Sequence, residues 1–165
     1  MSSSMQKSRK DTGFTLLELM VVVAIIAILA AIALPSLEPK YTRAQIAESV
    51  DLLKNLKGNI NLFFITTKKF PRDNEEAGIP KPEHLIGNYV ERIDYVDGSF
   101  NIKFGSKSAG RLKGKILSIR PIVVIDSPES PISWICGNSS VPQGMVAVGI
   151  NKTNIENQFL PLSCY

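Results

Sequence analysis

The stretch Gly13-Phe14-Thr15-Leu16-Leu17-Glu18-Leu19-Met20-Val21-Val22-Val23-Ala24-Ile25-Ile26-Ala27-Ile28-Leu29-Ala30-Ala31-Ile32-Ala33-Leu34 decides how this chain is read. From Leu19 to Leu34 no side chain is polar. With Phe14 to Leu17 added, the run approaches the roughly 20 residues that a helix needs to cross hydrocarbon. A helix buried in a soluble core would carry a polar stripe, and this one has none. Lys7, Arg9 and Lys10 stand ahead of it with one acid, Asp11. That positive flank predicts an N-terminus held in the cytoplasm and export of everything after Leu34. Glu18 breaks the pattern, because a carboxylate placed in hydrocarbon costs about 3 kcal/mol or more.

A secretory signal would have a shorter apolar core followed by a small-residue cleavage site. Ala31-Ile32-Ala33 imitates such a site, but the run is too long for it. A plain membrane anchor explains the length and leaves Glu18 without a partner. The nearest plausible partner is a positive charge on another subunit.

The segment from Gly13 to Glu18, with the apolar run to Leu34 and Pro35 behind it, closely resembles the start of a type IV pilin. The resemblance implies cleavage on the cytoplasmic side between Gly13 and Phe14 by a prepilin peptidase, which then methylates the new amine of Phe14. It makes Glu18 the glutamate that neutralises the Phe14 amine of a neighbouring subunit. Such a pairing in low dielectric selects the axial register of assembly. The segments implied are a leader at 1–13, a transmembrane and filament-core helix at 14–35, and an exported globular domain at 36–165. The leader is longer than is usual in the family, and Met5 is an alternative start to Met1.

Pro35 and Pro39 interrupt regular helical hydrogen bonding. By itself this reads as a helix ending at Leu34. The resemblance instead places Pro35 inside a long helix that melts locally during assembly. Ile46, Val50, Leu53, Leu56 or Lys57, Ile60 and Phe64 then recur at helical steps, which predicts one buried face continuing to about Thr66. Lys54, Lys57 and Asn61 are assigned to its solvent side. Residues 68–84, with Pro71, Gly78, Pro80 and Pro82, read as a long loop, and the resemblance to pilins implies that it is exposed.

Asp97-Gly98 predicts a two-residue hairpin turn. Phe100, Ile102 and Phe104 alternate with Ser99, Asn101 and Lys103 as in a half-buried strand, with Ile93 and Tyr95 facing inward from its partner. Further strands are expected over 116–124 and 132–136. The expected fold is α+β: a long N-terminal helix, its first half apolar and its second amphipathic. The second half packs on an antiparallel sheet of about four strands at about 87–136. The stretches at 87–90, 114–121, 132–136 and 160–165 also resemble type IVa pilins.

The chain of 165 residues has two cysteines, Cys136 and Cys164, with no CxxC pair, and one histidine, His84. In an exported chain this reads as a single disulfide and no metal site. It would close a loop at 136–164 rich in Gly, Asn, Ser and Pro. In pilins that loop is presented on the filament surface. The formal charge of +4 is partly carried by the leader, so it argues weakly for nucleic acid. Between Asp97 and Asp126, however, six bases (Lys103, Lys107, Arg111, Lys113, Lys115 and Arg120) stand with no acid. Such a run can contact phosphates, but it lacks the interleaved aromatics that stack on bases, and a solvated face is the favoured reading. Asn138-Ser139-Ser140 and Asn151-Lys152-Thr153 match a glycosylation sequon that is not expected to be used. No phosphate loop or nucleophile constellation points to catalysis, and no cofactor is implied.

The resemblance implies a type IV pilus subunit, not an enzyme, polymerised with itself and other pilins through the N-terminal helix. Its other partners would be prepilin peptidase and the inner-membrane assembly machinery. It would pass from a single-span inner-membrane precursor to an extracellular fimbrium of a Gram-negative bacterium. Adhesion, twitching motility and DNA uptake are the functions such filaments support. Two alternatives stand beside this reading. One is a minor pilin that binds DNA or a surface through the basic segment. The other is a type II secretion pseudopilin.

Overall fold

The structure, a computed structural model, describes residues 13–165, apart from the side chains of 34–37. The leader ahead of Gly13 and the side chain of Pro35 lie outside the described residues. The chain divides into two units, Met1–Leu37 and Glu38–Tyr165. Helix α1 (Leu16–Asp51) begins in the first and ends in the second, and helical backbone continues through Pro35 and Pro39. Leu52 interrupts the hydrogen-bonding pattern, and α2 (Leu53–Thr67) follows at once. It stops at Lys68, whose left-handed backbone (φ 56°) lets its N–H reach Phe64 O.

In the first unit the window Leu16–Ala33 has a mean hydropathy of 3.0, and none of it is buried. It is the one helix among the described residues long and apolar enough to cross a membrane. In the second unit Ile46, Leu53, Ile60 and Phe64 are buried at the helical spacing expected. Val50 and Leu56 pack beside them. Each fully buried aliphatic side chain contributes about 1.5–3 kcal/mol to the union of helix and sheet. The solvent side is narrower than the sequence implies. Lys57 is half-buried, with Nζ 5.2 Å from the centre of the Trp134 ring, and burial holds its ammonium pKa below the usual range. Asn61 is also partly buried. A long aliphatic stem can cover apolar surface while its charge rests on a ring face, so Lys57 belongs to the packed side.

The sheet has five strands: β1 (Val90–Val96), β2 (Ser99–Phe104), β3 (Ile116–Val124), β4 (Ser133–Cys136) and β5 (Met145–Ala147). The first four are antiparallel neighbours in chain order. Asp97 (φ 44°) and Gly98 (φ 92°) form the turn between β1 and β2, as the dipeptide predicts. Ile93, Tyr95, Phe100, Ile102 and Phe104 join Leu117 and Ile119 in the core against the helix. The Phe100 ring packs edge-on to Tyr95 and against Trp134, with centroids 4.8 Å and 5.6 Å away.

The fifth strand comes from within the cysteine loop, whose Gly, Asn, Ser and Pro content gives no strand signal. Ile122 pairs with Ser133 on one side and Ala147 on the other, so β5 extends the β2 edge of β3 past the hairpin turn. The chain then crosses the sheet face opposite the helix. Ser99 Oγ donates to Ile150 O (3.1 Å), Lys152 N donates to Ser118 Oγ (2.8 Å), and Ser118 Oγ donates to Asn101 Oδ1 (2.7 Å). Gly149 (φ +84°) makes the crossing possible, because a Cβ there would sit 2.1 Å from Ser99 Oγ. Ser99, Asn101 and Ser118 are therefore buried, and β2 is covered on both faces, not half-exposed as its alternation suggests.

Residues 68–84 are also held more firmly than a surface loop. Asn74 is buried against the outer edge of β1, where its Oδ1 accepts from Tyr95 N (2.7 Å). Its Nδ2 donates to Pro80 O (2.9 Å) and Ile93 O (3.3 Å). One side chain thus stands in for a strand on an open edge. Asn74→Ala leaves a buried N–H unpaired and is expected to cost about 2–3 kcal/mol, read as a lower urea midpoint. A shift below about 0.5 kcal/mol would show that backbone contacts alone hold the loop.

Candidate functional site

Gly13 and Phe14 precede the first helical turn, and Phe14 is 82% exposed. Thr15 and Glu18 close that turn on each other. Glu18 N donates to Thr15 Oγ1 (3.2 Å), while Thr15 N (3.0 Å) and Thr15 Oγ1 (2.9 Å) both donate to Glu18 Oε2. This is a reciprocal capping box, which satisfies two donors that a helix start leaves without partners. The Thr-x-x-Glu spacing that specifies it stands in the sequence, where the charge of Glu18 in an apolar run is the more conspicuous signal. The cap adds a role for Glu18 without excluding the other. Both bonds fall on Oε2, so Oε1 makes no hydrogen bond among the described residues. A carboxylate held at a helix start presents its second oxygen in a fixed direction.

Behind it the surface is apolar on every side, with Leu16, Leu17, Leu19, Met20, Ile25 and Ile28 all exposed. This far exceeds the scattered apolar residues of an ordinary protein surface, and such a surface calls for lipid or other protein chains around it.

Cys136 and Cys164 are bonded, with a sequence separation of 28. The bond joins the end of β4 to the penultimate residue. Around it Asn138 N donates to Cys164 O (2.7 Å) and Ser139 Oγ donates to Ser163 O (2.6 Å). The amide nitrogens of both sequon asparagines are occupied: Asn138 Nδ2 by Asn157 Oδ1 (2.8 Å) and Asn151 Nδ2 by Asn138 Oδ1 (3.0 Å).

The basic residues do not form one patch. Lys103 pairs with Glu91 (2.8 Å), and Arg111 pairs with Glu38 (3.4 Å) and lies over the Phe159 ring. Arg120 is half-buried on β3, away from the rest, and desolvation pulls its pKa down. Lys107 and Lys113 are exposed and Lys115 half-exposed in the β2–β3 connection, without ion pairs among the described residues.

Comparison with known proteins bears on both halves of the chain. The family model described as "Pilin (bacterial filament)" matches residues 42–165, and that of the prokaryotic N-terminal methylation motif matches residues 8–34. The chain is 32% identical to type IV major pilin protein PilE1 of Neisseria gonorrhoeae, over 92% of its own length and 86% of that protein. It is 32% identical to fimbrial protein EcpC of Eikenella corrodens, covering 92% of this chain and 89% of the relative. Similarity to type II secretion system core protein G of Vibrio cholerae, at 33% identity, extends over only 54% of this chain and 66% of that protein.

Proposed function

The chain belongs to the pilin family and is a structural subunit of a type IV pilus, and from that premise we propose how it reaches the filament. It is inserted as a precursor with residues 1–13 in the cytoplasm, anchored by residues 14–35. A prepilin peptidase cleaves it between Gly13 and Phe14 and methylates the Phe14 amine. The helix then leaves lipid for a bundle of like helices. There Glu18 of one subunit neutralises the Phe14 amine of a neighbour, and Pro35 marks where the helix loosens during assembly.

The observation that carries this reading is the fully exposed apolar helix beginning in a capped glutamate. Lipid satisfies the apolar surface but not the carboxylate, whereas a neighbour's ammonium in a helix bundle satisfies both. The secretion-pseudopilin alternative is weakened by the shorter extent of that similarity.

Shearing surface filaments and sequencing their subunits tests the proposal. The expected product begins with N-methylated Phe14 and carries the Cys136–Cys164 bond. Filaments whose subunits retain residues 1–13, or begin elsewhere, would refute the cleavage assignment.

A further inference from the structure

The charges of the globular unit are sorted along the chain. Segment 73–97 carries seven acids against two bases, Lys81 and Arg92. Segment 98–125 carries six bases and no acid. Many of these charges are not used within the subunit. Asp73, Glu75, Glu83 and Asp97 are exposed with no ion pair among the described residues, and so are Lys107 and Lys113.

Two rulers separate the surfaces. The basic connection 105–115 is fixed beside Gln45, whose Oε1 accepts from Ala109 N (2.8 Å). The acidic loop is fixed beside Asn59, whose Nδ2 donates to Gly78 O (2.9 Å). The intervening helix measures about 20 Å at its rise per residue. Along β1, Gly105 N donates to Tyr89 O just before the strand, while Asp97 N donates to Arg72 O just after it. That strand gives about 23 Å. The basic turn thus lies at one end of β1, and the acidic loop extends to the other.

We propose that the basic turn 105–115 of one subunit docks on the acidic edge 73–97 of a second copy within the filament. The inference rests on the filament reading above. Two different patches on one chain make a heterologous contact, which propagates as an open helical array instead of closing into a two-fold pair. Exposed ion pairs contribute little energy each, but opposed like charges are strongly disfavoured, so the contact fixes which faces meet.

The test is charge reversal in full-length chains, each expressed as sole subunit, with sheared filament yield as the measurement. Lys107→Glu with Lys113→Glu is expected to lower yield about tenfold or more, and Glu75→Lys with Glu83→Lys to do the same. All four changes together restore the complement, and yield is expected to return to within about threefold of wild type. The milder Lys107→Gln with Lys113→Gln pair is expected to lose less and to show weaker salt dependence than wild type.

Normal yield from both reversed pairs, or no recovery when they are combined, overturns the inference while leaving the filament reading intact. A wild-type chain that makes no filaments overturns both. If the Lys107→Glu and Lys113→Glu filaments form normally but lose retention of duplex DNA, the turn faces nucleic acid and the docking is wrong.

Discussion

Replacing Cys136 and Cys164 together with serine is expected to lower the unfolding free energy of the full chain in detergent by about 3–4 kcal/mol, the chain-entropy value for a loop of this length. The separation of 28 residues fixes that value through the conformational freedom the bond removes from the unfolded chain. The folded state adds a second consequence. The loop supplies β5 and the crossing segment that buries Ser99, Asn101 and Ser118. If its end frays, Ser118 Oγ loses Lys152 N and the buried Asn101–Ser118 pair must be hydrated. Loss of β5 and exposure of the outer sheet face are therefore expected before the helix-facing core gives way. Fluorescence of Trp134, the single tryptophan, on the strand that ends in Cys136, follows the transition. Amide exchange at Val148, Lys152 and Asn154 follows the crossing segment. A cost below about 1 kcal/mol, with exchange unchanged, would show that the hydrogen bonds alone hold the crossing segment and that the disulfide adds little.

The parts of this fold that are legible in sequence are those whose pattern is local. The period of Ile46, Leu53, Ile60 and Phe64 reports the buried helix face directly, and Asp97-Gly98 reports its hairpin because two positive φ angles suit few other residues. What the pattern misreads is what lies above the surfaces it defines. Ser99, Asn101 and Lys103 alternate as a solvated face should, but a segment about 50 residues further on covers the first two. Lys57 fits either face by spacing and the solvent side by charge, and Trp134 on β4 decides it by giving the stem and ammonium a site. Asn74 in a Pro- and Gly-rich stretch looks like a turn residue, and its role depends on an unpaired edge of β1 that only the sheet order reveals. At the N-terminus the signal is local: Thr15-x-x-Glu18 spells a capping box, but one carboxylate in an apolar run carries two signals, and its charge masks its spacing.

That second role makes the sharpest experiment on assembly. Glu18→Gln is expected to cut filament yield by about a hundredfold or more, whereas Thr15→Val is expected to change it only a few-fold. The two variants divide functions that Glu18→Ala removes together. A glutamine retains an acceptor for Thr15 N, so the capping box survives, but the charge is gone. A valine at position 15 removes the hydroxyl from the cap, at about 1 kcal/mol, and leaves the carboxylate charged. If Glu18 serves assembly as the counter-charge to a neighbour's Phe14 ammonium, the first change strands a buried cation, which costs about 3 kcal/mol or more per contact. Membrane insertion and cleavage are expected to be unaffected in both, since the apolar run and the leader are unchanged. Accumulation of processed, unassembled Glu18→Gln subunits in the membrane is the corresponding biochemical result. Normal filaments from Glu18→Gln, together with a large loss from Thr15→Val, would reverse the assignment and make Glu18 a helix cap first, with packing of the apolar run setting the register.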